Sequence, residues 1–387
     1  MHIVQAKYLR GLTVVVILMS TLTLVACSTA PASPPSTDRF PPEVETQMAQ
    51  IVEDQMTQSL IPGVIAGVWI PGRGTWIHAA GVANLDSGEL MDPTMHFRIA
   101  SNTKTFTANR ILQLADKDEL ELDDPLSKWI PDFPNGSSIT IRQLLNMTSG
   151  IFSFTEDDGF NQAYTDHPLE TLTPEQEVEL AITHPPYFLP GQGYHYSDTN
   201  YTLLGMILEK ATGNQVEEEI TKNILVPLGL DETSFPTTPA MPLPFAHGYR
   251  LQNTASGTTY KDITLSDPSV PWTGGAMIST LDDLKDWVKA LGKGGLLSVE
   301  MHKEQLQWVP VPGQERWNVQ YGLGIFSLGG FLGHTGAIFG YNSFMGYLPS
   351  ADATIIVLAN LSTNDSSEAA FIFLKLAQLL FPGFPTP

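Results

Sequence analysis

The chain has 387 residues, 42% of them apolar, enough to bury a substantial core as one large domain or two to three smaller ones. A net charge of −21 and a pI of about 4.6 exclude a nucleic-acid binder that works through phosphate contacts, because no basic stripe interrupts the acidity. The nine histidines are scattered and there is a single cysteine, so the sequence offers no metal cluster, no disulfide framework and no cofactor motif.

At the N-terminus, Lys7 and Arg10 precede the apolar run "GLTVVVILMSTLTLVAC", too short and too early for a membrane span and patterned as an export signal. The run ends in Leu24-Val25-Ala26-Cys27, which resembles the lipobox of bacterial lipoproteins. That resemblance implies cleavage after residue 26, lipid attachment to Cys27, and an exported protein anchored to a bacterial membrane in the cell envelope. Residues 27–41 are rich in Ser, Pro and Ala without periodicity and are expected to act as a tether.

The globular body is expected over 42–387. Val44, Met48, Ile51, Val52, Gln55 and Met56 recur at helical spacing. "GVIAGVWI" and "TWIHAAGVA" then read as two strands joined by the turn "PGRG". From about 106 to 290 the text is helical: "TKTFTANRILQLADK", "TIRQLLNMTSG", "NYTLLGMILEKATG" and "TLDDLKDWVKALGK" are amphipathic, and several end at glycine. Strand character returns with "YGLGIFSLGG", "SFMGYLP" and "ATIIVLAN", before a last helix around "SSEAAFIFLKLAQLL". β-rich ends around a helical middle predict an α+β fold, in which both termini build one antiparallel sheet flanked by helices and the middle forms an all-helical insertion.

Three stretches carry candidate chemistry. In "FRIASNTKTFTA", Ser101 and Lys104 are three residues apart at the start of a helix, so both side chains fall on one face. A serine hydroxyl can there lose its proton to or through an amine while helix-start N–H groups help hold an oxyanion, although Ser101 could equally serve as a helix cap beside a solvated lysine. "YHYSDTNYTLLGMILEKATG" contributes Tyr196-Ser197-Asp198, and "GHTGAIFGYNSFMGYLP" contributes His334-Thr335-Gly336 beside a predicted strand.

These motifs, in this order and with this intervening text, resemble the penicillin-recognising serine hydrolases: the actinomycete-type serine D-alanyl-D-alanine carboxypeptidase, the class C β-lactamases and their esterase relatives. The resemblance runs from about Val64 to the last helix and implies a β-lactamase/transpeptidase-like fold. It implies that Ser101 is the acylated nucleophile, that Lys104 helps deprotonate it, and that Tyr196 shuttles the proton to the leaving group, for which a cationic Lys104 would depress the tyrosine's pKa. His334 would face the nucleophile from a strand edge, Thr335 and Gly336 would leave room for substrate backbone, and the N–H groups of Ser101 and Ala337 would form the oxyanion hole.

Two departures bear on substrate. Asp198 stands where the family usually carries asparagine; a carboxylate accepts but cannot donate, and it is expected to pair with Lys104. Phe326 stands near the position at which the carboxypeptidase binds a terminal carboxylate through arginine, and phenylalanine cannot do so. Phe152, Phe154 and Trp272 are candidates to line an apolar acyl pocket, although core packing is the commoner role for any one of them. The resemblance therefore leaves four functions open: a carboxypeptidase acting on D-alanyl cell-wall peptides, an esterase or D-amino-acid amidase, a β-lactamase, and a penicillin-binding protein without catalysis. Each implies a small acyl or peptide substrate.

Overall fold

The computed structural model describes residues 39–254, 257–362 and 368–385. The expected export signal, Cys27 and nearly all of the expected tether lie outside the described residues. Two described residues ahead of the expected boundary at 42 already join the body: Phe40 is buried and Arg39 bridges to Thr75.

The strands in chain order are β1 (Gly63–Ile70), β2 (Gly74–Asn84), β3 (Glu89–Leu90), β4 (Phe97–Arg98), β5 (Tyr249–Thr254), β6 (Gly257–Asp262), β7 (Ile278–Ser279), β8 (Val309–Pro310), β9 (Val319–Tyr321), β10 (Phe326–Leu328), β11 (Phe331–Ile338), β12 (Tyr341–Leu348), β13 (Ala353–Ala359) and β14 (Leu361–Ser362). Nine of them form one antiparallel sheet in the order β3-β2-β1-β13-β12-β11-β10-β9-β8. The two ends of the chain meet where β1 pairs with β13, Val64 opposite Ala359 and Trp69 opposite Thr354. Every residue of β13 is buried, which explains why "ATIIVLA" reads as an unbroken apolar run instead of an alternation.

Helix α1 (Pro42–Ser59) opens with Pro at its first position and two glutamates in its first turn, both favourable at a helix start. It packs with the last helix, Glu368–Leu380, over the strands that the termini supply. The helical middle contains α2 (Thr103–Ala115), α3 (Pro174–Ile182), α4 (Asp198–Thr212), the single turn α5 (Trp272–Gly275) and α6 (Leu281–Lys293).

Two details differ from the expectation of an all-helical insertion over 106–290. A β-hairpin, β5–β6, projects within it, with its first strand held in parallel by β14. Its side chains are mostly exposed, so it lacks the apolar alternation that marks a half-buried strand. Second, α6 packs on β11, β12 and β13 and so belongs to the body around the sheet, which ends the insertion near residue 280. Its apolar face, Leu281, Leu284, Trp287, Val288 and Leu291, is buried at helical spacing.

Candidate active site

Ser101 stands at the junction of sheet and helices. β4 pairs with β7, and the next residue, Ile99, donates its N–H to the Met277 carbonyl at 3.0 Å. The chain then tightens into a 3₁₀ turn, Ala100–Asn102, that runs into α2. Ala100 takes a left-handed conformation, φ 51°, which costs a residue with a Cβ about 1–2 kcal/mol and is held by its surroundings. Those surroundings are specific: the Asn102 amide donates to the Ile99 carbonyl at 2.9 Å and to Ser343 Oγ on β12 at 2.7 Å. Ser101 is not a helix cap. Neither the turn nor α2 has a side-chain cap, and Ser101 Oγ instead accepts from Lys104 Nζ at 3.2 Å.

Lys104 is completely buried, and its ammonium also donates to Asp198 Oδ1 at 2.5 Å and to the Gly274 carbonyl at 2.8 Å. The expected pairing with Asp198 is thus formed. Burial pushes the Lys104 pKa below the ordinary lysine range, and the charge and hydrogen bond of Asp198 pull against that shift. Asp198 opens α4, where a carboxylate suits the helix dipole, and it is aimed by the loop before the Phe154 turn. Its N–H donates to Ser153 Oγ at 3.0 Å, and Thr155 Oγ1 donates to Asp198 Oδ2 at 2.9 Å.

Tyr196 lies beside this pair, with Lys104 Nζ 4.9 Å from its ring centroid. The expected depression of its pKa does not occur. Burial, reinforced by the negative charge of Asp198, pushes the phenol well above the ordinary tyrosine range, and the Ser101 hydroxyl beside it works only partly the other way. Burial first, and the charge of Asp198 second, thus favour the neutral phenol at Tyr196.

Beyond Gly333, β11 has no β10 partner, because that pairing covers only Phe331–Gly333. The free edge of β11 meets the Ser101 turn. A Cβ on Gly336 would overlap the Ile99 carbonyl and the Ser343 hydroxyl, so glycine is required for this close approach. Ala337 is exposed on the same edge and lines the cleft with Ser101, while Thr335 is half-buried. His334 is buried behind this edge. The Thr335 carbonyl can only accept, so His334 Nδ1 carries the proton at 2.6 Å, and Nε2 accepts from the Tyr321 hydroxyl at 2.9 Å. Burial lowers its pKa to about 3, so it is a neutral, oriented group.

The cleft in front of Ser101 has a volume of about 560 Å³ and is walled by Phe154, Phe160, Tyr164, Val270 and Phe339. Polar groups, Thr155, Asn161 and Asp198 among them, share this wall, and of the three aromatic candidates only Phe154 lines it. Trp272 turns away: its ring packs on Gly205 of α4, where a Cβ would come within 2.7 Å of it. Phe152 stacks on His184 at 4.0 Å, outside the cleft. Phe326 is buried against His334 and Phe344, at 5.6 and 5.9 Å, and supports the histidine from behind. Sequence reasoning missed Ser153, Thr155, the Gly274 carbonyl and Tyr321. The first two had a faint signal, as polar residues interrupting "GIFSFT"; the others had none.

Residues 48–379 match the family model described as Beta-lactamase. Among curated proteins, Protein flp of Staphylococcus aureus strain N315 is 29% identical over 337 residues, covering 84% of this chain and 65% of its own length. The chain thus spans about 65% of the length of the first curated relatives it matches. Among solved structures, a D-stereospecific amidohydrolase from Streptomyces sp. is 32% identical with a TM-score of 0.76, covering 87% of this chain and 99% of that one. The D-amino acid amidase of Ochrobactrum anthropi SV3, complexed with D-phenylalanine, is 26% identical with a TM-score of 0.75, covering 87% and 98%. A penicillin binding protein from Bacillus halodurans shares the fold, with a TM-score of 0.72 at 24% identity and coverage of 85% and 99%.

Proposed function

The chain belongs to the Beta-lactamase family, and from that premise we propose that it hydrolyses amide bonds whose carbonyl comes from a D-residue, through an acyl-enzyme on Ser101. Family membership and the amidase neighbours support a serine hydrolase; the bond and the residue roles are read from the site. D-amino-acid amides and D-alanyl peptides both fall in this class. Phe326 near the arginine position favours the amide over a free peptide C-terminus, and so does the likeness to the D-stereospecific amidohydrolase and the D-amino acid amidase.

The observation that carries the reading is the buried Lys104, within hydrogen-bond reach of both Ser101 Oγ and Asp198. Ser101 Oγ attacks the carbonyl carbon and its proton passes to Lys104, whose burial favours the neutral, accepting amine. The oxyanion is held by the N–H groups of Ser101 and Ala337. As the C–N bond breaks, Tyr196 gives its phenolic proton to the departing nitrogen and is refilled from Lys104. A water then attacks the ester by the reverse relay, restoring Ser101. His334 and Thr335 shape the floor on which the leaving group rests.

An exported, lipid-anchored location through Cys27 is part of the same proposal and rests on the sequence motif alone. Replacing Cys27 with Ser is expected to move the protein from the membrane to the soluble fraction. The activity is tested with D-phenylalanine amide, a D-alanyl-D-alanine peptide and a simple ester, in parallel with Ser101→Ala. Release of product from a D-amide that disappears in the variant supports the reading. Cleavage that survives the variant, or no cleavage of any of the three, overturns it.

A further inference from the structure

We infer that Arg250 is an anion anchor at the acyl end of the cleft, and that the acyl donor carries a carboxylate; this rests on the Ser101 reading above. Arg250 lines the same cleft as Ser101, half-buried, on β5. The hairpin meets the far end of β11: the Tyr249 N–H donates to the Gly340 carbonyl at 3.3 Å, and the Gly340 N–H donates to Ser362 Oγ at 2.9 Å. Ser362, directly opposite Arg250 in the parallel β14–β5 pair, also lines the cleft. His334 marks one end of the exposed strand edge, and Arg250 lies past the other, beyond Ala337 and Phe339. If Tyr196 serves the leaving group, what extends toward Arg250 is the acyl portion.

Two observations separate Arg250 from an ordinary surface arginine. In a chain with 41 acidic residues, other arginines find carbonyl or carboxylate acceptors: Arg98 bonds the Thr264 and Pro239 carbonyls, Arg110 pairs with Glu219, and Arg142 with Asp123 and Glu304. The Arg250 side chain makes no hydrogen bond or ion pair with a described residue. Its direct cross-strand neighbour on β6 is Lys261, another cation. Like charges facing each other across an antiparallel pair are unfavourable, so packing gives no reason for the arrangement, and a ligand carboxylate between or beside them does. Asp198, the other charged residue on the cleft wall, is already engaged by Lys104 and Thr155.

The test compares two matched esters, p-nitrophenyl hexanoate and the mono-p-nitrophenyl ester of adipic acid, which differ by a terminal carboxylate on the acyl chain. In the full-length protein, Arg250→Gln is expected to lower the adipate-to-hexanoate ratio of kcat/KM at least tenfold, with Lys261→Gln lowering it by about threefold and Arg250→Lys retaining part of it. An unchanged ratio in Arg250→Gln overturns the inference. The second readout does not depend on turnover: adipic acid monoanilide is titrated into Ser101→Ala and into Ser101→Ala/Arg250→Gln. At least a tenfold weaker Kd in the double variant supports the anchor, and equal Kd values overturn it. Hexanoate hydrolysis that persists in Ser101→Ala would instead sink the serine mechanism, leaving the titration to decide on Arg250.

Discussion

Replacing Asp198 with Asn removes a charge from a buried pair while keeping an oxygen that accepts from Lys104. The pair is 2.5 Å apart, with the Lys104 side chain fully buried and that of Asp198 26% exposed. Asp198 is the group that opposes the effect of burial on Lys104, so without its charge the ammonium becomes harder to hold and the lysine loses its proton at lower pH. An opposite charge in contact is typically worth about 1–3 pH units, or about 1.4–4 kcal/mol. In the mechanism above a neutral Lys104 is the acceptor. The acid limb of kcat/KM against pH should therefore move down by at least about one unit in Asp198→Asn. The assay is ester hydrolysis across the stable pH range, with Ser101→Ala as the blank and Asp198→Glu as the charge-conserving control. A limb that stays in place, or moves up, would refute the assignment of that ionisation to the Lys104–Asp198 pair.

Further outcomes are expected elsewhere in the fold. Gly336→Ala should reduce kcat at least about a hundredfold and stability by about 1–3 kcal/mol, because the new methyl pushes β11 from the Ser101 turn; thermal melts and kinetics check both. Tyr196→Phe should slow amide cleavage far more than cleavage of a p-nitrophenyl ester, whose leaving group needs no proton; equal losses would deny Tyr196 the acid role. His334 has its folded pKa lowered to about 3 from an unfolded value near 6.5, so the unfolded chain binds the extra proton first. Its contribution to stability is present above pH 6.5 and is lost as pH falls toward 3, and a denaturant series on His334→Asn should show a shallower decline over that window. Glu177 is buried on α3, accepting from Thr202 Oγ1 at 2.8 Å, and burial pushes its pKa well above the carboxylate range. Ionising it costs the folded state more as pH rises above the unfolded value, so Glu177→Gln should gain relative stability with increasing pH.

Much of the fold was legible because its signals are local. The β1–β2 hairpin announced itself through two strand-like runs around "PGRG", and α4 and α6 through apolar spacing ended by Gly213 and Gly294, which take left-handed conformations in the structure. The β5–β6 hairpin was not legible, because it is held by one parallel partner and buries little. In the site, Ser101 with Lys104, and the Tyr196 and His334 motifs, could be found from fixed spacings. Tyr321, Thr155 and the Gly274 carbonyl act from isolated positions that only the fold brings together. The tyrosine's pKa was misjudged for a related reason: sequence shows which charges are near in the chain, whereas the sign here is decided by burial and by a carboxylate that already satisfies the lysine. Trp272 takes the packing role, its ring filling the space that Gly205 leaves open.

The most direct test of the account is to mix the protein with p-nitrophenyl butyrate, quench in acid before turnover is complete, and map the acyl mass by peptide mass spectrometry. A butyryl group on the peptide containing Ser101, absent in Ser101→Ala and slow to form in Lys104→Met, is the expected result. Butyryl on another residue, or ester turnover that persists in Ser101→Ala, would contradict it.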